Sequence, residues 1–294
     1  MVLDRVPPLL VAAFSTVLGG TSFVASRYAV TEGDPAEIAF LRYGLAAILF
    51  FAAARWTGGR WPKIARADLA PNLALGVAMF GGFTWLFTAA TQYIPAARAA
   101  LIVAAMPVIA LAFAWALGRE RATWTKAAAC ALAAIGVAVA LGDKATGGPE
   151  AWKGDAYMIL AALVGGAHTV VSAVYVRRYT PLPTIAIQSL AGVAALAAVL
   201  AAQGGDAFAL AYSSSGWIAI AWLAVPGGFL SFYFWFKALE RIPASRVALC
   251  IALNPLSAAL GGALVLGEAV GPLLLVGFVF VAAAIALVAR GAEK

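Results

Sequence analysis

Ile94-Pro95-Ala96-Ala97-Arg98-Ala99-Ala100-Leu101 runs on to Met106-Pro107 and then Glu120. Much later, Ile242-Pro243-Ala244-Ser245-Arg246-Val247-Ala248-Leu249 runs on to Asn254-Pro255 and then Glu268. Pro95 and Pro243, Arg98 and Arg246, Pro107 and Pro255, and Glu120 and Glu268 each stand 148 positions apart in a chain of 294 residues. An offset of about half the length marks a duplication of the whole chain, with one unit in 1–146 and its copy in 147–294.

Composition says what each copy is. The chain is 64% apolar and 11% charged, whereas soluble domains are about half apolar and about a quarter charged. Apolar runs of about 20 residues, enough to cross a hydrocarbon core of about 30 Å, recur at 7–29, 36–55, 69–91, 96–117, 123–142, 155–176, 183–203, 216–239, 244–266 and 271–290. The run after Arg5 resembles a signal peptide, but a matching span opens the second half, so it reads as a retained helix. The expected fold is an all-α polytopic membrane protein of ten transmembrane helices. The net charge of +7 does not ask for nucleic acid, because the basic residues gather between spans. Cys130 and Cys250 fall inside spans and read as packing residues, not as a disulfide or metal ligands.

Orientation follows from the same charges. With the N-terminus inside, the Lys and Arg residues fall on the cytoplasmic side except for Arg27, Arg42, Arg98, Lys144 and Lys153. Glu32, Asp34, Glu37, Asp143, Glu150, Asp155, Asp206 and Glu268 fall on the other side. Both termini are then cytoplasmic. Because each unit holds an odd number of spans, the second enters the membrane from the opposite face. Such inverted repeats serve alternating access around a midplane site in secondary transporters.

The repeat also nominates the helices around that site. Gly19-Gly20 matches Gly165-Gly166, and Gly81-Gly82 matches Gly227-Gly228, all at an offset of 146. Small residues let membrane helices approach closely, which makes plain packing the alternative to a cavity. Pro107 and Pro255 interrupt spans 4 and 9 and free the carbonyls of Val103 and Ile251. These prolines read either as ordinary kinks or as bends that gate a cavity. Phe83 and Trp85 in span 3, and Phe229, Phe232 and Tyr233 in span 8, are candidates for an aromatic wall. Trp85 shares a helical face with Gly81 and Thr88.

Polar groups inside spans are few and so informative. His168, the single histidine, lies within a turn of Gly165, Thr169 and Ser172. Asn254 replaces Met106 beside the repeated proline, the kind of asymmetry that recognition requires. Thr16, Thr88, Ser172 and Ser231 add hydroxyls. Arg42 either snorkels outward or pairs with Glu37, while Glu120 and Glu268 read as interfacial anchors. No Asp or Glu falls in the middle of a span, no nucleotide-binding or hydrolase motif is present, and no cofactor or metal site is expected.

The Ala-Ala-Thr-Gln-Tyr-Ile-Pro-Ala stretch (89–96), Pro107 and Leu-Gly-Arg-Glu (117–120) return as Lys-Ala-Leu-Glu-Arg-Ile-Pro-Ala (237–244), Pro255 and Leu-Gly-Glu (266–268). Together with Phe40-Leu41-Arg42-Tyr43, this pattern resembles the EamA-type members of the drug/metabolite transporter superfamily. Among them it resembles the exporters of aromatic and other neutral amino acids. The resemblance implies a carrier, not an enzyme, in the bacterial inner membrane, with a cavity drawn from spans 1, 3, 4, 6, 8 and 9. Ser189 stands where a second Arg42 would be, so any role of that arginine is one-sided. The substrate-binding set expected is Thr16, Phe83, Trp85, Thr88, Met106, His168, Ser172, Phe229, Ser231, Phe232 and Asn254, with Pro107 and Pro255 as bends. The expected partners are a small-molecule substrate and the lipid bilayer. The oligomeric state is left open, a monomer included. Export of lipophilic cations or drugs, and a scaffold or receptor role, are the competing readings.

Overall fold

In lipid a backbone finds no water to bond, so runs of alanine, leucine and valine must satisfy their own amides as helix. The computed structural model describes residues 6–56, 63–119, 123–143, 148–179, 181–203, 211–239, 241–242, 247 and 250–291, and no strand occurs among them. The helices are α1 (Pro8–Ala29), α2 (Pro35–Trp56), α3 (Arg66–Ala90), α4 (Ala96–Ala116), α5 (Trp124–Leu141), α6 (Ala151–Tyr179) and α7 (Pro181–Ala202). Then α8 runs from Ser214–Ala224 through the π-helical turn Val225–Leu230 into Ser231–Leu239, followed by α9 (Cys250–Leu266) and α10 (Pro272–Gly291). Among the described residues eight helices, α1 to α8, are long and apolar enough to cross a membrane, and the apolar stretches Cys250–Leu266 and Pro272–Leu287 are shorter. The span expected at 155–176 begins earlier, at Ala151. Glu120, Pro243, Ala244, Ser245, Arg246, Ala248 and Leu249 of the repeated stretch lie outside the described residues, as do Lys144 and Asp206.

Helices of the first half pack on helices of the second. α1 lies against α8 and α9, α6 against α3 and α4, α2 against α7 and α8, and α5 against α10. Each contact has its counterpart with the halves exchanged. The interfaces are alanine-rich, with Ala90, Ala96, Ala99, Ala100, Ala161 and Ala258 all fully covered. Where the helices approach most closely, glycine is required. A Cβ on Gly136 would stand 2.8 Å from the Gly277 carbonyl, and one on Gly277 would stand 2.5 Å from the Gly136 carbonyl.

Irregularities recur with the repeat. The π-helical turn Val77–Phe83 of α3 matches Val225–Leu230 of α8, and each carries one of the glycine pairs. α4 breaks after Ala104 and resumes at Met106, while α9 passes from a 3-10 turn, Cys250–Ala252, into Leu253–Gly261. Both breaks fall two or three residues before the repeated proline. Pro107 occupies the first turn of its segment, where its missing N–H costs nothing. A backbone N–H at the break donates to the Val103 carbonyl, so the acceptor expected to be free there is taken up. Gly118 (φ 66°) and Gly267 (φ 65°) follow α4 and α9 in the left-handed conformation that ends helices.

Candidate functional site

Two corners built from equivalent positions face different chemistry. In the first, Gly19 of α1 meets Ser231 of α8 and Asn254 of α9. A Cβ on Gly19 would lie 3.3 Å from Ser231 Oγ and 3.5 Å from Asn254 Oδ1. In the second, Gly165 of α6 meets Phe83 of α3 and Met106 of α4. Its Cβ would lie 3.0 Å from Met106 Sδ and 3.2 Å from Phe83 Cε2. Met106 and Asn254 are a 148-offset pair and Gly19 and Gly165 a 146-offset pair; Phe83 follows its glycine pair as Phe229 does, so Ser231 matches Phe83 by its place in the corner and not by register. One corner is polar and the other apolar and polarisable.

The polar corner is held together by hydroxyls. Ser15 Oγ donates to the Ser231 carbonyl at 2.7 Å, and Ser231 Oγ donates to the Ser15 carbonyl at 2.9 Å. Ser15 is missing from the sequence-based set, although a serine one turn before Gly19 was a visible signal. Asn254 Oδ1 is buried with no hydrogen-bond partner among the described residues, an acceptor whose burial carries a cost unless a ligand satisfies it.

An aromatic column leads away from the apolar corner. Phe83 stacks on Phe87 (centroids 6.0 Å, 25° between planes), and Phe87 meets Phe23 of α1 at 4.7 Å. Phe23 lies one turn from Gly19 on the same face of α1, so the column and the polar corner share a helix. Arg42 of α2 lies over Phe87, the middle ring of this column, its Cζ 5.2 Å from the Phe87 centroid and 5.1 Å from that of Tyr43. It neither snorkels nor pairs with Glu37. The residue is 6% exposed, and its Nε is buried without a partner. Phe229 and Phe232 gather elsewhere, around Phe50 at 5.4 and 6.3 Å, with Phe232 also 6.2 Å from Phe80.

The remaining expected residues divide. His168 Nε2 lies 3.1 Å from Gln188 Oε1 of α7, and Gln188 Nε2 donates to Asn72 Oδ1 of α3 at 3.1 Å. Gln188 and Asn72 are wholly buried polar groups that the sequence offered and the site set omitted. Thr16 and Thr88 direct their hydroxyls to carbonyls of their own helices, Ala13 and Thr84, at 2.9 and 2.8 Å. Ser172 is buried on α6. Trp85 is exposed against Tyr157, unlike its face-mates Gly81 and Thr88, which are buried. A cavity of about 500 Å³ opens between α1, α8 and α9, bounded by Thr21, Tyr28, Ile218, Trp222 and Val265. None of the residues in the expected set lines it.

Two charged clusters lock helix ends, and Glu268 is more than an anchor. Its Oε2 accepts from the Ala96 backbone N–H at 2.9 Å, capping α4 at the repeated Pro-Ala, and its Oε1 takes Arg27 Nε at 3.3 Å. Arg27 also donates to the carbonyls of Thr91 and Gln92. Arg98 grips Asp155 through two parallel bonds of 2.8 and 2.6 Å and donates to the carbonyls of Leu141 and Asp143. In the loop after α1, Glu32 accepts from the Ser213 hydroxyl and backbone N–H. These bonds hold its carboxyl below the ordinary glutamate range.

Residues 6–142 and 152–290 each match the model of the EamA-like transporter family. A protein of Streptantibioticus cattleyicolor named "Probable terminal-alkyne amino-acid exporter" is 28% identical over 94% of this chain and 91% of its own. An uncharacterized transporter of Bacillus subtilis, YyaM, is 24% identical over 91% of this chain and 90% of its own. A protein of known crystal structure, 20% identical, superposes with a TM-score of 0.69 over 98% of this chain and 99% of the other, a likeness of fold.

Proposed function

The chain belongs to the EamA-like transporter family, and we propose that it exports small metabolites, foremost aromatic and other neutral amino acids, by alternating access around a site formed by the two corners. It is a multi-pass membrane transporter. In the proposed form it spans a bacterial inner membrane ten times as two inverted five-helix repeats, with both termini cytoplasmic.

The observation that carries the substrate reading is the opposite polarity of the two equivalent corners. A symmetric frame presents serine and asparagine on one side, and phenylalanine and methionine on the other. An amino acid with an apolar side chain has the same division. Its ammonium suits the unpartnered Asn254 Oδ1, and its side chain suits Phe83 and Met106, whose ring and thioether contribute about 0.5–1.5 kcal/mol per aromatic contact. The amino-acid export named for the Streptantibioticus relative supports the same class. With no carboxylate in the middle of a span, transport runs down the metabolite gradient.

Counterflow into proteoliposomes tests the reading. Vesicles loaded with unlabelled phenylalanine are expected to accumulate labelled phenylalanine transiently, and Asn254→Leu to weaken this. Absence of counterflow for every neutral and aromatic amino acid would refute the proposal.

A further inference from the structure

Among the described residues two arginines are buried, in very different ways. Arg98 has acceptors around its guanidinium, a bidentate carboxylate and two carbonyls. Arg42 is 6% exposed, yet no hydrogen bond or ion pair reaches it among the described residues, and its Nε is sealed without a partner. Glu37, five positions earlier, stands about 140° away around the helix and forms no ion pair with it.

A guanidinium carries five N–H donors and cannot lose its charge. Leaving it unpaired inside a membrane protein is unfavourable by several kcal/mol. The rings of Tyr43 and Phe87 offset part of this from the faces. Rings accept no conventional hydrogen bonds in the guanidinium plane, so the edge of Arg42 remains the strongest unmet demand for an anion in the interior. That edge stands beside Phe87, the middle ring of the set Phe83–Phe87–Phe23, whose Phe83 end meets Gly165 beside Met106.

We propose that Arg42 is a carboxylate receptor on the transport route, binding the anionic group of the cargo while the cargo's apolar part lies along the Phe87 rings. Because an α-amino acid's ammonium and carboxylate share one carbon, this is a second station, separate from the Asn254 corner. This rests on the amino-acid reading above and extends it: the cargo must present a free carboxylate. A guanidinium matches a carboxylate through two parallel bonds. The second half has Ser189 at the corresponding position, so the carboxylate has one receptor, and the cargo binds in one orientation.

The test compares ligands that differ only in that group. Binding of phenylalanine, phenylalaninamide and 3-phenylpropionate is measured by calorimetry on the purified protein in detergent. The wild type is expected to bind phenylalanine at least about tenfold tighter than its amide. Arg42→Gln is expected to weaken phenylalanine roughly tenfold to a hundredfold, down to the amide, and to leave the amide unchanged. Arg42→Lys should keep part of the preference. A purely structural arginine would shift both ligands alike. Equal binding of phenylalanine and its amide by the wild type overturns the proposal without any variant, and so does a preference that survives in Arg42→Gln. If no amino acid binds but 3-phenylpropionate does, in an Arg42-dependent way, the amino-acid reading fails and the carboxylate receptor stands. If amino acids bind and Arg42→Gln changes nothing, the reverse holds.

Discussion

Separating Arg98 from Asp155 should destabilise the protein more than any surface change, and removing both should restore much of the loss. The side chains are 3% and 12% exposed, with N–O distances of 2.8 and 2.6 Å. Asp155→Leu leaves a guanidinium in a closed space without its carboxylate partner. Arg98→Met leaves a buried carboxylate and also strips the Leu141 and Asp143 carbonyls of their donor. Breaking such a pair from one side costs about 3–5 kcal/mol. At about 2–4 °C per kcal/mol, each single variant should unfold on the order of 10 °C lower. In the double variant Arg98→Met/Asp155→Leu both charges of the pair go together, while the buried Asp143 carboxylate keeps its bond from the Leu274 N–H, and a buried pair replaced by apolar groups is often neutral. Its loss should be smaller than either single loss, a coupling that a double-mutant cycle isolates. Thermal unfolding in detergent, followed by tryptophan fluorescence at one scan rate, measures all four proteins. Single variants within about 2 °C of wild type, or losses that simply add in the double, would refute this account of how α4 is fixed to α6.

Gly20→Ala should lower the unfolding temperature by several degrees. Its Cβ would stand 2.7 Å from the Asn254 carbonyl, a backbone clash of the kind that costs about 1–3 kcal/mol. Gly44→Ala, with nothing within 4 Å, should be neutral or slightly stabilising in the same scan. Glu268→Ala removes the cap of α4 and the Arg27 partner and should cost about 1–2 kcal/mol; adding Arg27→Met should cost further, since it removes the bonds to the Thr91 and Gln92 carbonyls. Glu32, held below the ordinary glutamate range by Ser213, contributes stability that is present above its unfolded pKa and fades as the pH falls through the folded value. Unfolding temperatures across that acidic window should fall more steeply for the wild type than for Ser213→Ala. The exchange Met106→Asn/Asn254→Met should alter which amino acids compete in counterflow. An unchanged competition profile would remove the corners from recognition.

Much of the site's framework was legible because it is periodic. The glycine pairs mark α1, α3, α6 and α8 in sequence; Gly19 faces α8 and α9, Gly165 faces α3 and α4, and Gly227 faces α1, whereas Gly81 faces Gly192 of α7. Met106 and Asn254 stood out as the break in symmetry, and they occupy equivalent corners. Arg42 could not be read in the same way. Its position near a span end suggested an escape to water, and only the packing of α2 on α3 buries it against Phe87. The partners of His168 were equally hidden, since Gln188 and Asn72 come from two other helices and share no spacing with it. Trp85 shows the converse: helical periodicity assigned it to the face of Gly81 and Thr88, but its bulk lies outside that contact, against Tyr157.

Duplication, apolar spans, membrane residence and the helices that carry the glycine and proline irregularities were determined by sequence alone, because they depend on composition and on repeats along one dimension. Tertiary structure decided which polar groups are satisfied. A side chain's partners come from helices whose mutual rotation no spacing within one helix encodes. Hence Ser231 finds Ser15 and Glu268 finds Ala96 and Arg27, Arg98 finds Asp155, and Arg42, among the described residues, finds aromatic faces.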